Sequence, residues 1–212
     1  TSLSIGNRGS AEAKYKLKFL GNNADGTGGP ESSEFVLGPN QSVTYEDILV
    51  SVFGQGNGAY GAIRLAANVG TLSVLGQTST PDPTRPGGTF GQSVPGYGAA
   101  DLITAGTVKS IVGIRQDGSF RTNLILANAS TSQITVSGTL LSTSGAVLGA
   151  GTWDLPPLGM IQVPNLPRDL GVTANVRDLQ ILLTTTTTGG SFATYATVID
   201  NVTNDPRTLL PR

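Results

Sequence analysis

The reactive groups in this 212-residue chain are almost all oxygen donors, because it contains neither His nor Cys. That removes Ser-His-Asp and Cys-His nucleophilic chemistry, imidazole acid-base work near neutral pH, imidazole or thiolate zinc sites and any disulfide framework. The remaining routes to catalysis are thin. An N-terminal Thr can act as a nucleophile with its own amine as base, but such chemistry needs an enclosed pocket and Thr1 opens a strand-like stretch. Glu31, Glu34, Glu46 and Asp47 offer carboxylates of the kind a glycosidase pairs, yet nothing in their spacing singles out two. The expectation is a protein without catalytic residues and without a cofactor.

Two groupings suit binding rather than turnover. Asp200, Asn201, Asn204 and Asp205 gather carboxylate and amide oxygens at a strand end, the ligand type that calcium prefers. Their spacing does not follow an EF-hand loop, and Asx side chains serve turns by bonding nearby backbone. Residues 80–97, TPDPTRPGGTFGQSVPGY, read as the longest irregular stretch, stiffened by prolines and carrying Arg85, Phe90, Gln92 and Tyr97. Aromatic faces beside amides can hold a glycan, and long loops on rigid β scaffolds often carry binding; packing between modules is the plainer use. Asn40, Asn128 and Asn201 each begin an Asn-x-Ser/Thr triplet, the N-glycosylation pattern. Trp153, the one Trp, is expected to plug a core rather than present a ligand platform.

The elements that must position these groups repeat. Residues 1–20, TSLSIGNRGSAEAKYKLKFL, align without a gap over residues 122–141, TNLILANASTSQITVSGTLL. FVLGPNQSV (35–43) is answered by WDLPPLGMI (153–161), and each is followed by a short segment ending in Gly, at Gly54 and Gly171. The first of these reads as a short helix with a Gly C-cap, the second as a looser turn because Pro164 and Pro167 interrupt it. Then come GAIRLAA with TLSVLGQTS in one copy and DLQILLTTT with SFATYATVID in the other, each read as a strand pair. Short runs rich in Thr, Val, Ile and Tyr with Gly, Pro and Asn between them describe an all-β protein, two tandem Ig-like β-sandwich modules spanning residues 1–100 and 107–212.

Only the second copy has a leading strand. TVKSIVGIRQ (107–116), Asp117-Gly118 and SFRTNLILAN (119–128) form a hairpin signal, Asp-Gly supplying the positive φ of a type I′ turn. No such partner precedes TSLSIGN, so the first module is expected to lack its leading strand. Thr1, Leu3, Ile5 and Asn7 would then line an open β edge able to pair with another subunit.

At FRTNLILAN (120–128), GTFGQSVPG (88–96) and ATVIDNVTNDP (196–206) the chain resembles a loosely defined family of repeated β-sandwich modules in large secreted bacterial proteins. There an aromatic-Arg-Thr-Asn/Asp strand opens each copy, and a Gly-Thr-aromatic-Gly-Gln or Asp-Asn-x-Thr-x-Asp segment closes it. The resemblance implies an exported, non-catalytic module beside other domains. This chain departs from the pattern at its N-terminus, where the aromatic-Arg pair is missing.

Composition points the same way. Charged residues are 13% of the chain, about half the usual share for soluble proteins, so its polarity rests on hydroxyls and amides. Lys14, Lys16 and Lys18 alternate with Tyr15, Leu17 and Phe19, which puts the lysines on one face of a strand. The other basic residues are dispersed, which argues against nucleic acid as a partner. No stretch reads as a transmembrane segment, and a start at Thr1 with neither Met nor signal peptide predicts processed material. The expected protein is an extracellular or cell-surface structural subunit that self-associates or enters a larger assembly; the alternative is a glycan- or protein-binding accessory module.

Overall fold

The computed structural model describes residues 1–56, 58–82 and 85–212, and these form two compact units. Unit 1 holds Thr1–Gly21 and Gly28–Gly96; unit 2 holds Asn22–Thr27 and Tyr97–Arg212. The division falls at Gly96 rather than between residues 100 and 107, because Tyr97 is already anchored in unit 2, its hydroxyl donating to the Thr194 carbonyl at 2.8 Å. Asn22–Thr27 is held there by backbone bonds from Asn23 to Met160 and from Gly26 to Pro157.

Unit 1 runs β1 (Ser2–Asn7), β2 (Ala13–Gly21), β3 (Phe35–Leu37), β4 (Ser42–Tyr45), α1 (Ile48–Ser51), β5 (Gly61–Ala67), β6 (Leu72–Pro81) and β7 (Thr89–Pro95). These strands make two antiparallel sheets, ordered β4-β1-β6-β7 and β3-β2-β5. Side-chain alternation fixes the faces. Strand β2 buries Ala13, Tyr15, Leu17 and Phe19 and turns its lysines outward. Strand β1 buries Leu3, Ile5 and Asn7, and α1 adds the fully buried Ile48 to the same core.

Unit 2 runs β8 (Ile103–Thr104), β9 (Lys109–Gln116), β10 (Phe120–Asn128), β11 (Ile134–Leu141), β12 (Val147–Leu155), β13 (Met160–Val163), α2 (Leu166–Asp169), β14 (Val176–Thr185), β15 (Ser191–Asp200) and β16 (Pro206–Leu209). Its sheets are β13-β10-β15-β16, with β8 on β15, and β12-β11-β14-β9. One core joins residues of both, among them Ile111, Ile114, Leu124, Leu126, Ile181 and Phe192. The fold is thus all-β and sandwich-like.

The two orders superimpose strand for strand: β4, β1, β6 and β7 answer β13, β10, β15 and β16, and β3, β2 and β5 answer β12, β11 and β14. A buried Asn closes the first strand of this plan in each unit, Asn7 and Asn128.

Several expectations need correction. Strand β5 does not pair with β6, nor β14 with β15, because each pair divides between opposite sheets. The second Gly-terminated segment is no looser than the first: α2 is a four-residue helix like α1, with Pro in its first turn, where no backbone donor is needed. Residues 80–97 are mostly a hairpin of β6 and β7, with Phe90 opposite Thr80 and Gln92 opposite Thr78; Pro83 and Thr84 of that stretch lie outside the described residues.

The largest correction concerns the leading strand. Strand β9 does not pair with β10 across Asp117-Gly118; it joins β14 in the opposite sheet. Neither turn residue has a positive φ. Instead the Asp117 carboxylate accepts the backbone N–H groups of Ser119 and Phe120, an Asx turn. The expected open edge at Thr1, Leu3, Ile5 and Asn7 is therefore not there. Strand β1 is paired on both sides within the chain, Leu3 with Tyr45 and Gly76, Ile5 with Val43 and Val74. The edge that corresponds to β9's partner is that of β5, which pairs only with β2 among the described residues.

Candidate functional site

The motif Phe120-Arg121-Thr122-Asn123 and the oxygen-rich segment 200–205 meet at one end of unit 2. Arg121 Nη1 donates to Asn201 Oδ1 at 2.7 Å and Nη2 to Asn204 Oδ1 at 3.4 Å. Asp200 Oδ1 accepts the N–H groups of Val202 and Thr203 at 2.7 and 3.2 Å, and the Asp200 N–H donates to the Asp205 carbonyl. The four candidate calcium ligands thus form a tight turn between β15 and β16, and two of their oxygens already face a guanidinium. Among the described residues no group of three or more His, Cys, Asp or Glu gathers as a metal site.

The rest of the motif clips neighbouring strands. Thr122 Oγ1 donates to the Arg115 carbonyl at 2.7 Å and accepts the Arg115 N–H at 3.0 Å. Asn123 Oδ1 accepts the N–H of Asn165, the residue before α2. The Arg115 guanidinium lies 3.8 Å from the centre of the Phe120 ring, a cation–π contact, while its Nε donates to Asp117 Oδ2 at 2.6 Å. That bond, with the two backbone donors, holds the Asp117 carboxyl below the usual carboxylate range.

The proposed ligand residues divide between the two units. Arg85 sits at the exposed hairpin tip of unit 1, Phe90 and Gln92 are half-buried on β7, and Tyr97 belongs to unit 2. Burial pushes the Tyr97 hydroxyl's pKa up, with the nearby Tyr195 and Asp101 adding to the shift. Its bond to Thr194 makes it an anchor rather than a free stacking platform. Asn128 is 1% exposed, so its triplet cannot take a glycan in the folded chain, whereas Asn40 and Asn201 are exposed.

A concavity opens in each unit. In unit 1 it measures about 400 Å³, between Ser32, Phe35, Tyr45 and Ser51. Tyr45 there shares a 2.6 Å hydrogen bond with the Tyr15 hydroxyl, whose pKa burial and that bond push up. In unit 2 it measures about 450 Å³ and is walled by Asn22, Asn23, Trp153, Asp154, Gln162 and Asp169. Trp153 is half-buried, packs against the core and donates its indole N–H to Asp169 Oδ2 at 3.0 Å. Asn22 Oδ1 accepts the Gln162 N–H.

The sequence did not bring Asn22 and Asn23 to Trp153, because they come from a segment that precedes most of unit 1. The Arg121 clamp was signalled by two motifs whose meeting only the fold reveals. No protein-family model, curated protein or solved structure matches the chain. No helix among the described residues is long and apolar enough to cross a membrane.

Proposed function

We propose that the chain is a non-catalytic structural protein of the cell exterior, a repeat-built scaffold that enters a filament, surface layer or envelope-associated assembly through sheet edges and uncharged faces. The observation that supports this reading most is the repetition itself. Both units keep one strand order and one buried Asn clip, while the groups with chemical potential are spent on turns and clips. The scarcity of charge supports covered faces over a surface kept apart by repulsion. The seven strands of unit 1 and the paired antiparallel sheets of both units support an Ig-like reading, but in unit 2 the leading strand β9 and the next strand β10 lie in opposite sheets, whereas the first two strands of constant-type Ig domains share one. Analytical ultracentrifugation of the 212-residue chain over a wide concentration range tests the reading: species larger than monomer are expected, and a monomer at the highest concentration contradicts it.

A second reading, a glycan-binding accessory module, is favoured by the groove at Trp153, where an indole edge stands beside amide and carboxylate side chains. Titration of oligosaccharides against the fluorescence of this single Trp tests it. A saturable change supports the reading, and none across a diverse panel removes it.

A further inference from the structure

The two units differ at one edge, and the intact one shows what the other would accept. In unit 2 the outer side of β14 is covered by β9, with Leu183 opposite Lys109 and Ile181 opposite Ile111. Ile111, Ile114, Ile181 and Leu183 are all fully buried. Pairing to the neighbouring strand identifies the counterparts in unit 1. Phe19 pairs with Ile63 and Leu17 with Leu65, as Leu140 pairs with Ile181 and Gly138 with Leu183. Ile63 and Leu65 are only partly buried at the rim of their core.

The backbone is open there as well. The Asn68 N–H donates to the Lys14 carbonyl at 3.0 Å. Hydrogen-bonded pairs alternate along an antiparallel ladder, so Ala66 and Arg64 bond β2 while Ile63, Leu65 and Ala67 turn their N–H and C=O groups away from it. No strand takes these groups among the described residues. The same alternation directs Ile181 and Leu183 into β9.

We propose that the outer side of β5 is a strand-acceptor site for an extended peptide segment of the β9 pattern, supplied from outside these 212 residues. It pairs antiparallel with β5 and sets a branched apolar side chain opposite Ile63, as Ile111 stands opposite Ile181. Its inward residues complete the core of unit 1, and its backbone completes the ladder. A second copy of the chain, pairing β5 to β5, is the weaker occupant. The outward face of this sheet carries Lys14, Lys16, Lys18 and Arg64, with Glu31 beside Lys16 as a partial offset and Lys18 opposite Arg64, and joining two such sheets at β5 would bring one excess of positive charge against another. A segment neutral or acidic on its outward side, as β9 is at Ser110 and Val112, brings no such repulsion.

The site deepens the scaffold reading and rests on it, so the test separates the two. A synthetic peptide of residues 107–118, TVKSIVGIRQDG, is added to the full chain while residue-resolved hydrogen exchange is followed by NMR. The expected result is saturable binding in which exchange at Ile63, Leu65 and Ala67 slows by about tenfold or more. A peptide carrying Ile111→Asp and Ile114→Asp should lose the effect, a control that leaves the protein unaltered. No binding, protection appearing instead at Ile181 and Leu183, or a β5-linked dimer that the peptide does not displace overturns the proposal. Sedimentation of the chain alone reads the scaffold separately. Association without peptide binding removes the site and keeps the scaffold; peptide binding by a chain that stays monomeric does the reverse.

Discussion

Asn7 and Asn128 hold equivalent places at the ends of β1 and β10 and share one pattern of bonds, to which Asn7 Oδ1 adds the Thr71 hydroxyl as a donor at 3.0 Å. Asn7 Nδ2 fans across the carbonyls of Ala11, Leu37 and Gly38 at 2.8, 3.1 and 3.2 Å, and Asn128 Nδ2 across those of Ser132, Leu155 and Pro156 at 2.8, 3.3 and 2.9 Å. Each Oδ1 accepts the N–H two residues on, from Gly9 and Ser130. Each amide therefore ties its own strand, β1 or β10, to the following turn and to the end of β3 or β12. Asn7→Ala or Asn128→Ala leaves buried carbonyls without a donor and should cost about 1–3 kcal/mol. Asn128→Asp should cost more at neutral pH, because a carboxylate would face those carbonyls. Urea unfolding of the variants checks this, and an unchanged midpoint would contradict it.

The Asp117 turn makes a prediction about pH. Its carboxyl is held below the ordinary value, chiefly by the side-chain bond from Arg115, with the Ser119 and Phe120 N–H groups adding to it. A depressed folded-state pKa contributes stability above the unfolded carboxylate value, and that contribution fades as pH falls through the folded value. An NMR titration of the Asp117 carboxyl should show a midpoint below the usual range, and Arg115→Gln should move it upward. A normal midpoint in the unaltered chain would count against the turn geometry.

Gly138 is where Trp153 lies on β11. A Cβ built there would stand 2.7 Å from Trp153 Cζ3 and 2.8 Å from Cη2, and a ring packed on the core has little room to yield. Gly138→Ala should destabilise unit 2 by about 1–3 kcal/mol and shift the emission of the single Trp toward that of an exposed indole. Unchanged stability and emission would mean that the ring moves freely.

Calcium should leave the protein indifferent. Arg121 already faces Asn201 Oδ1 and Asn204 Oδ1, and Asp200 Oδ1 is engaged by two backbone donors. Millimolar calcium is expected to give no rise in the thermal midpoint, since only a ligand that prefers the folded state produces one. A rise that magnesium fails to reproduce would return the segment to the list of metal sites.

The sequence made the repeat legible because its signals are local. The gapless alignment placed β1 with β10 and β2 with β11, and alternation along Lys14–Phe19 gave the correct buried face. The Gly54 end of the first short helix was readable too, and Gly171, which shares its positive φ, closes a second helix that its prolines had disguised as a looser turn. Sheet membership was not readable, because alternation says which residues face inward but not which strand lies alongside. Adjacent strands such as β5 and β6 therefore looked paired when each belongs to a different sheet. The same ambiguity moved the open edge: Asp117-Gly118 looks like a hairpin turn, yet the chain there passes from one sheet to the other, so what β9 covers is β14 and not β10. In the candidate loop, Tyr97 could not be seen as an anchor until Thr194, far along the chain, stood beneath its hydroxyl.

The account depends most on the difference between β5 and β14, and amide hydrogen exchange of the free chain measures it residue by residue. Ile63, Leu65 and Ala67 should exchange fast while Ala66 and Arg64, bonded to β2, exchange slowly, and Ile181 and Leu183 should be protected by β9. Equal protection of Ile63 and Leu65 with Ile181 and Leu183, in a chain shown to be monomeric, would mean that the edge is already closed.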